Sequence, residues 1–207
     1  MLHDSLWKLN ADLANACLQH RFVRTLGDGT LRPEAFKGYI AQDAFFLRAF
    51  FRAYGIAAAR CDDMNHALSF HKFMGGVLDE LTLHEVCAAK WSIDLAAVKP
   101  LPATTVYTNF LLRITWHGGV DEIAAAMVPC MCLYAFLGHS LARANFPTHP
   151  YKVWIDTYSG QAFQALTTEV ESLLDAVADD TPEVRDAYRY AMQCELDFFS
   201  APLERAV

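Results

Sequence analysis

Residues 33–60 carry the longest uninterrupted helical pattern of the chain, PEAFKGYIAQDAFFLRAFFRAYGIAAAR. The pattern opens after Thr30 with Pro33 near its first turn. A proline is tolerated there because the first N–H groups of a helix have no partner within it. The pattern runs to about Cys61, where two aspartates follow. This stretch predicts a helix of about 28 residues that is apolar on most of its surface and is therefore buried.

Helical patterns also fill the remainder of the chain, and glycine, proline or a capping side chain bounds each of them. The other predicted helices span residues 4–26, 65–91, 103–116, 121–145, 151–158, 161–178 and 182–199. No segment shows sustained alternation of apolar and polar residues, so β-strands have no support. We therefore predict an all-α fold in which residues 1–207 form one domain, a bundle of seven or eight helices.

The composition of the chain excludes several classes of protein. Of the 207 residues, 54% are hydrophobic, which is enough to build an apolar core. The net charge of −7 opposes binding to polyanions, so nucleic acid is not expected as a partner. The chain shows neither a basic start followed by an apolar run nor an uncharged apolar stretch of about 18 residues, so we expect a cytoplasmic protein without a membrane span. Six cysteines stand at positions 17, 61, 87, 130, 132 and 194; they form no CxxC pair and are interpreted as free thiols.

Three reactive side chains fall on the apolar faces of their predicted helices when residues are placed roughly 100° apart. Asp43 projects opposite the polar stripe of the long helix quoted above, and Glu195 falls among apolar and aromatic residues of the last helix. Cys130 faces away from the charged side of its helix, whereas Cys132 lies on that side. Helical periodicity thus indicates that Asp43, Glu195 and Cys130 point into the bundle.

A buried carboxylate must be paired, protonated or used, because its unpaired charge would cost several kcal/mol. For either acid alone, one interpretation is a structural carboxylate that accepts hydrogen bonds from tyrosines or a helix terminus. Two acids and a thiol in one interior instead suit covalent catalysis, provided that their three helices converge. No histidine is evident as a partner for the thiol. The set therefore favours addition of the thiol to an electron-poor ring, activated by a protonated carboxyl group, over a protease-like Cys/His dyad.

Several short segments carry a resemblance to a known family. They are RFV at 21–23 ahead of GTL at 29–31, YIAQD at 39–43, PCMCLY at 129–134, YKVWIDTY at 151–158 and CELDFF at 194–199. In this order they make the chain similar to the TenA family, thiaminase II, over almost its whole length. The resemblance implies a haem-oxygenase-like helical bundle, usually a homotetramer. It also implies a hydrolase for thiamin salvage, which releases hydroxymethylpyrimidine from 4-amino-5-aminomethyl-2-methylpyrimidine and from thiamin.

The resemblance also implies roles for individual residues. Cys130 resembles the nucleophile of the family, which adds to the pyrimidine ring so that an amine or a thiazole leaves from the exocyclic methylene group. Glu195 resembles the proton donor to a ring nitrogen, and Asp43 resembles the carboxylate that grips the amidine edge of the ring. The tyrosines implied to stack on the substrate or hydrogen-bond to it are Tyr107, Tyr134 and Tyr158. We expect neither a metal nor another cofactor.

One position departs from the family pattern. The family often has a tyrosine three residues after the aspartate, and here the residue is Phe46, which can stack on a pyrimidine but cannot donate a hydrogen bond. This substitution leaves open a non-catalytic protein that binds an aminopyrimidine. A metal-dependent oxygenase is a second alternative, for which the nearest feature is Glu80 with His84, interpreted as a pair on the helix surface or behind the site. His20 is a conceivable haem ligand, but we interpret it as a surface or capping residue.

Overall fold

The computed structural model describes residues 1–95, 97–144 and 146–204, apart from the side chains of residues 83, 87 and 204, and places ten α-helices in them. The helices are α1 Leu2–Leu9, α2 Ala11–Gln19, α3 Arg21–Asp28, α4 Pro33–Arg60, α5 Met64–Lys90, α6 Pro102–His117, α7 Val120–Arg143, α8 Lys152–Ser159, α9 Gln161–Val177 and α10 Pro182–Glu204. No strand occurs in this described part of the chain, so the predicted all-α fold is confirmed.

The N-terminal segment differs from the prediction of one helix over residues 4–26. It forms α1, α2 and α3, which are separated at Asn10 and His20. The Asn10 amide donates to the carbonyl oxygen of Leu6 at 2.8 Å, and Nδ1 of His20 accepts the N–H of Phe22 at 3.2 Å. Polar side chains that bond to nearby backbone compete with the helix, which explains why the described residues form ten helices instead of seven or eight. His20 is therefore a capping residue, as interpreted.

The remaining helices begin and end close to the predicted positions. The long helix α4 covers Pro33–Arg60, and α10 continues beyond the predicted end at Phe199 to Glu204. The predicted end of the fifth helix, Asn145, and the thiol of Cys87 lie outside the described residues. The five other cysteines are free thiols, as expected.

Helix α7 is the central element of the bundle. It packs against α4, α6, α8, α9 and α10, and most of its side chains are buried. Contrary to the expectation that the chain has no apolar stretch of about 18 residues, this helix is long and apolar enough to cross a membrane, alone among the helices of the described segments. Within the protein, 72% of its most apolar window is buried. All ten helices contribute side chains to the apolar core that surrounds it.

The approach of α8 to α7 depends on Gly138. A Cβ atom at this position would lie 2.5 Å from the carbonyl carbon of Tyr158, closer than any real contact. Glycine has no Cβ, so the backbone of α8 can lie directly against α7. This contact holds Tyr158 beside the middle of the central helix.

Candidate active site

A cavity of about 520 Å³ lies between α4, α5, α7, α8 and α9. Its wall is mostly apolar and aromatic, which suits a planar ring held by a few polar groups. Five of the seven residues predicted from the sequence line it: Asp43, Phe46, Cys130, Tyr134 and Tyr158. The other two, Glu195 and Tyr107, lie behind the wall, each with 1% of its surface exposed.

Cys130 on α7 lines this cavity, and Glu195 on α10 lies behind it. The thiol and the carboxyl group are close enough for each to shift the pKa of the other. The hydroxyl group of Tyr107, on α6, donates a hydrogen bond to Oε1 of Glu195 at 2.8 Å. The thiol of Cys132 instead hydrogen-bonds to Glu171 at 3.3 Å, on the other side of α7. The inward directions predicted for Cys130 and Glu195 are confirmed.

Burial controls the protonation of this pair. It raises the pKa of Glu195 to about 8, although the hydrogen bond from Tyr107 and the neighbouring thiol of Cys130 lower that pKa. Burial, and then the charges of Glu195 and other carboxylates, raise the pKa of the Cys130 thiol well above its ordinary value. Both groups are therefore protonated at neutral pH. Glu195 can donate a proton, and the thiol must pass its own proton on when the sulfur attacks.

Asp43 on α4 has a histidine partner that the sequence analysis did not identify. Nε2 of His84 lies 2.6 Å from Oδ2 of Asp43, and Nδ1 lies 3.0 Å from the carbonyl oxygen of Glu80. Burial lowers the pKa of His84, but the charge of Asp43 and its hydrogen bond raise it by more, to about 9. The imidazolium therefore pairs with the carboxylate at neutral pH and fixes its orientation. None of the hydrogen bonds between described residues reaches Oδ1, so this oxygen is available to a ligand.

Glu80, one turn before His84 on α5, also lines the cavity. Its Oε1 accepts a hydrogen bond from the hydroxyl group of Tyr158 at 2.7 Å. Burial and the charge of Asp43 raise the pKa of Glu80 to about 7, although the Tyr158 hydrogen bond lowers it. The expectation of a pair on the helix surface or behind the site therefore holds for His84, which lies behind Asp43, but not for Glu80, which lines the cavity.

The spacing of apolar residues along α5 predicts that Glu80 and His84 face the interior. Phe73, Val77 and Ala88 are buried and recur at helical spacing with His84, which is 7% exposed. Glu80 falls on the same face. Helical periodicity, which turns Asp43 inward, turns Glu80 and His84 inward as well, but it does not show which groups they meet.

Aromatic residues complete the wall. The ring of Phe46 lies 4.7 Å, centre to centre, from that of Tyr107, and it brings no hydroxyl group to the cavity. The hydroxyl group of Tyr134 accepts a hydrogen bond from Tyr39 at 3.2 Å, and Tyr39 accepts one from the Trp154 indole at 3.2 Å. This chain of hydrogen bonds holds the Tyr134 ring in a single orientation.

Asp43, Glu80 and His84 form the one group among the described residues whose ligand atoms could hold a metal ion, since these atoms lie within 4.8 Å of one another. Carboxylates and imidazole are ordinary zinc ligands, but the imidazole must be neutral to bind. Asp43 stabilises the imidazolium form of His84. The hydrogen-bonded pair of Asp43 and His84 is thus favoured over metal binding. That the site holds no metal stays a prediction.

Comparison with known proteins gives close relatives. The model of the TENA/THI-4/PQQC family matches residues 7–206. The bifunctional TH2 protein of Arabidopsis thaliana is 36% identical over 87% of this chain and 34% of its own length. The aminopyrimidine aminohydrolase of Bacillus subtilis is 34% identical over 80% of this chain and 72% of its own length. The chain spans about a third or less of the longer curated relatives that it matches.

Solved structures with similar folds include members described as TenA proteins. A protein of Silicibacter sp. TM1040, described as a TenA family transcription regulator, has a TM-score of 0.91 and 27% identity over 97% of this chain and 95% of its own. A domain with a heme oxygenase-like fold from Shewanella denitrificans, 15% identical over 99% of this chain and 91% of its own, has a TM-score of 0.66 and shares the fold alone. The expected haem-oxygenase-like fold is confirmed. Because the family model covers nearly the whole chain and the Bacillus relative exceeds 30% identity, this chain belongs to the TENA/THI-4/PQQC family.

Proposed function

We propose that the protein is a hydrolase of thiamin salvage, which converts 4-amino-5-aminomethyl-2-methylpyrimidine and thiamin into 4-amino-5-hydroxymethyl-2-methylpyrimidine. The observation that carries the proposal is that Cys130 and Asp43, from two different helices, line one cavity, and that Glu195, from a third helix, lies directly behind Cys130. The names of two relatives support it: the aminopyrimidine aminohydrolase of Bacillus subtilis and the thiamine biosynthesis multifunctional protein of Corynebacterium efficiens.

Each group then has a task in the proposed reaction. Oδ1 of Asp43 accepts a hydrogen bond from the 4-amino group of the substrate, while Phe46 and Tyr134 stack against the ring. The sulfur of Cys130 forms a bond to a ring carbon. Its proton passes to Glu195, and Glu195 gives its own proton to a ring nitrogen, so the ring stays neutral.

The substituted ring is now electron-rich and expels the amine from the methylene group. Water takes the place of the amine. The carbon–sulfur bond then breaks, which restores the aromatic ring and returns the proton to the thiol of Cys130 through Glu195. The addition and release of the Cys130 sulfur need a thiol and one carboxyl group that exchange protons, and these two groups are neighbours whose pKa values depend on each other.

A specific observation favours a second candidate, a protein that binds aminopyrimidines without turnover. Phe46 brings no hydroxyl group to the cavity, and burial raises the pKa of Cys130, so the thiolate is scarce at neutral pH. Under this alternative the cavity and Asp43 act in binding, and Cys130 has no chemical role.

Release of hydroxymethylpyrimidine from the aminomethyl compound separates the two candidates. We expect the purified protein to release it, and we expect Cys130→Ser to abolish release while leaving the affinity for the product unchanged. Cys61→Ser is the matched control, because this half-buried thiol lies outside the cavity. Binding without release would establish the second candidate, and a Cys130→Ser variant with the parental rate would contradict covalent catalysis.

The proposal also includes a single domain over residues 1–207, a cytoplasmic location and a homotetramer. The apolar core shared by helices from both ends of the chain supports the single domain. Large exposed apolar side chains along the outer face of α5 support assembly: Met64, Leu68, Leu78 and Val86. Sedimentation equilibrium should give four times the chain mass, and Leu68→Glu should lower it. A monomer at micromolar concentration would contradict the tetramer.

A further inference from the structure

The cavity carries more negative charge than the proposed reaction uses. Besides Asp43, it is lined by Glu80 and by two exposed carboxylates, Asp79 and Asp156, of which Asp156 is paired with Lys152 at 2.7 Å. The described residues contribute no lysine or arginine to the lining itself. His84 is hydrogen-bonded to Asp43. The charge of His84 also lowers the pKa of Glu80, so one imidazolium is shared between two carboxylates. A cavity with this charge balance attracts cationic ligands.

A hydrogen bond from Tyr158 orients the carboxyl group of Glu80. Tyr158 donates to Oε1 at 2.7 Å, and Tyr158 is in turn held against α7 by the close contact at Gly138. The hydrogen bonds between described residues leave Oε2 of Glu80 without a donor. Burial and the charge of Asp43 raise the pKa of Glu80 to about 7, and a cation beside it would stabilise its ionised form.

We propose that Glu80, oriented by Tyr158, binds the cationic group on the exocyclic methylene of the substrate, so that the site selects pyrimidines bearing an ammonium or a thiazolium group there over those bearing a neutral acylamino group. This inference rests on the proposed function, because it assumes a ring held between Asp43 and Cys130. The ligand oxygens of Asp43 and Glu80 lie within 4.8 Å of each other. The amino and aminomethyl groups of the substrate stand on neighbouring ring carbons, so the two carboxylates match them.

Glu80 also balances the charges of the exchange step. When the ammonium group leaves, the carbon–nitrogen bond breaks, both electrons go to nitrogen, and neutral ammonia is released. Water then bonds to the methylene carbon, and one of its protons passes to the Glu80 carboxylate. One cation, one water molecule and one carboxylate have thus become ammonia, an alcohol and a protonated Glu80. Ammonia takes this proton and leaves as ammonium, which restores Glu80.

The test compares two substrates of the same ring, one with an aminomethyl and one with a neutral formylaminomethyl substituent. Glu80→Gln keeps the size of the side chain and an oxygen acceptor for Tyr158, but removes the charge. We expect it to lower kcat/KM for the aminomethyl compound about 100-fold, and to change kcat/KM for the formylaminomethyl compound by no more than about fivefold. Glu85→Gln, an exposed position on the same helix and outside the cavity, is the control and should leave both values unchanged.

An equal loss for both substrates would show a merely structural role for Glu80 and overturn the inference. Calorimetric binding keeps the inference testable even if the wild-type protein turns over neither compound, a result that would refute only the proposed function. We expect the wild-type protein to bind the aminomethyl compound more tightly than the hydroxymethyl product, and Glu80→Gln to remove that preference. A preference that survives the substitution would overturn the inference.

Discussion

Replacing Tyr107 by phenylalanine should shift the upper pH limit of the reaction to a higher pH. The substitution removes one hydroxyl group, which lies 2.8 Å from Oε1 of Glu195. Both residues are 1% exposed, so water cannot replace the lost donor. The ring stays, and with it the contact to Phe46 at 4.7 Å. The change therefore isolates a single hydrogen bond to the buried carboxyl group.

The size of the effect follows from the two states of that carboxyl group. A hydrogen bond contributes roughly 1.5–3 kcal/mol when it involves a charged group and roughly 0.5–1.5 kcal/mol when both partners are neutral. The midpoints of these ranges differ by about 1.25 kcal/mol, which corresponds to about one pKa unit. The Tyr107 hydrogen bond lowers the pKa of Glu195, which is about 8, so its loss should raise that pKa. Glu195 then keeps its proton to a pH higher by about one unit.

The same substitution should also lower stability. At pH 6 the protonated Glu195 loses a neutral hydrogen bond, which costs about 1 kcal/mol in the free energy of unfolding. For a chain of this size, the expected decrease in Tm is roughly 2–4 °C.

The assay is the pH dependence of kcat/KM for hydroxymethylpyrimidine release between about pH 6 and 10, the range that brackets Glu195. A ¹³C titration of the Glu195 carboxyl group gives the same pKa without turnover. Tyr190→Phe, at a tyrosine on α10 that is 46% exposed, is the control and should change neither quantity. A Tyr107→Phe variant whose alkaline limb stays in place, or shifts to lower pH, would refute the argument.

Further predictions concern the thiol, the packing of α8, the metal-free site and the pH dependence of stability. Phe46→Tyr should lower the pKa of Cys130, because a hydroxyl group can donate to the thiolate; the pH dependence of alkylation measures this, and an unchanged pKa would contradict it. Gly138→Ala should destabilise the protein by about 1–3 kcal/mol in urea unfolding through its clash with α8. Gly75→Ala, whose Cβ would have no neighbour within 4 Å, should be neutral or stabilising, and equal losses would refute the packing argument. Chelation of divalent cations should leave turnover unchanged, whereas a loss that Zn²⁺ restores would establish a metal centre. Because burial raises the pKa of Glu195 from 4.5 to about 8, the folded state binds the extra proton and the free energy of unfolding should fall as pH rises through this interval. Glu195→Gln should flatten that dependence, and an equally steep curve would contradict it.

Much of the fold could be predicted from the sequence, because the residues that start and end a helix lie within a few positions of each other. Proline near the first turn and the aspartates after the last turn of α4 mark its ends, and the structure places it at Pro33–Arg60. The same rules missed the breaks at Asn10 and His20. Those breaks depend on side chains that bond to nearby backbone, and the composition of the segment remains compatible with a continuous helix.

The sequence by itself determined that Asp43, Glu195 and Cys130 point inward, since the direction of a side chain depends only on its position around its own helix. It could not determine which groups meet, because contact depends on how separate helices pack. Tertiary structure alone joined Cys130 to Glu195 and Asp43 to His84, across many residues of chain. It also decided their protonation, because the pKa of a buried group depends on the solvent and charges that packing removes from it or brings to it.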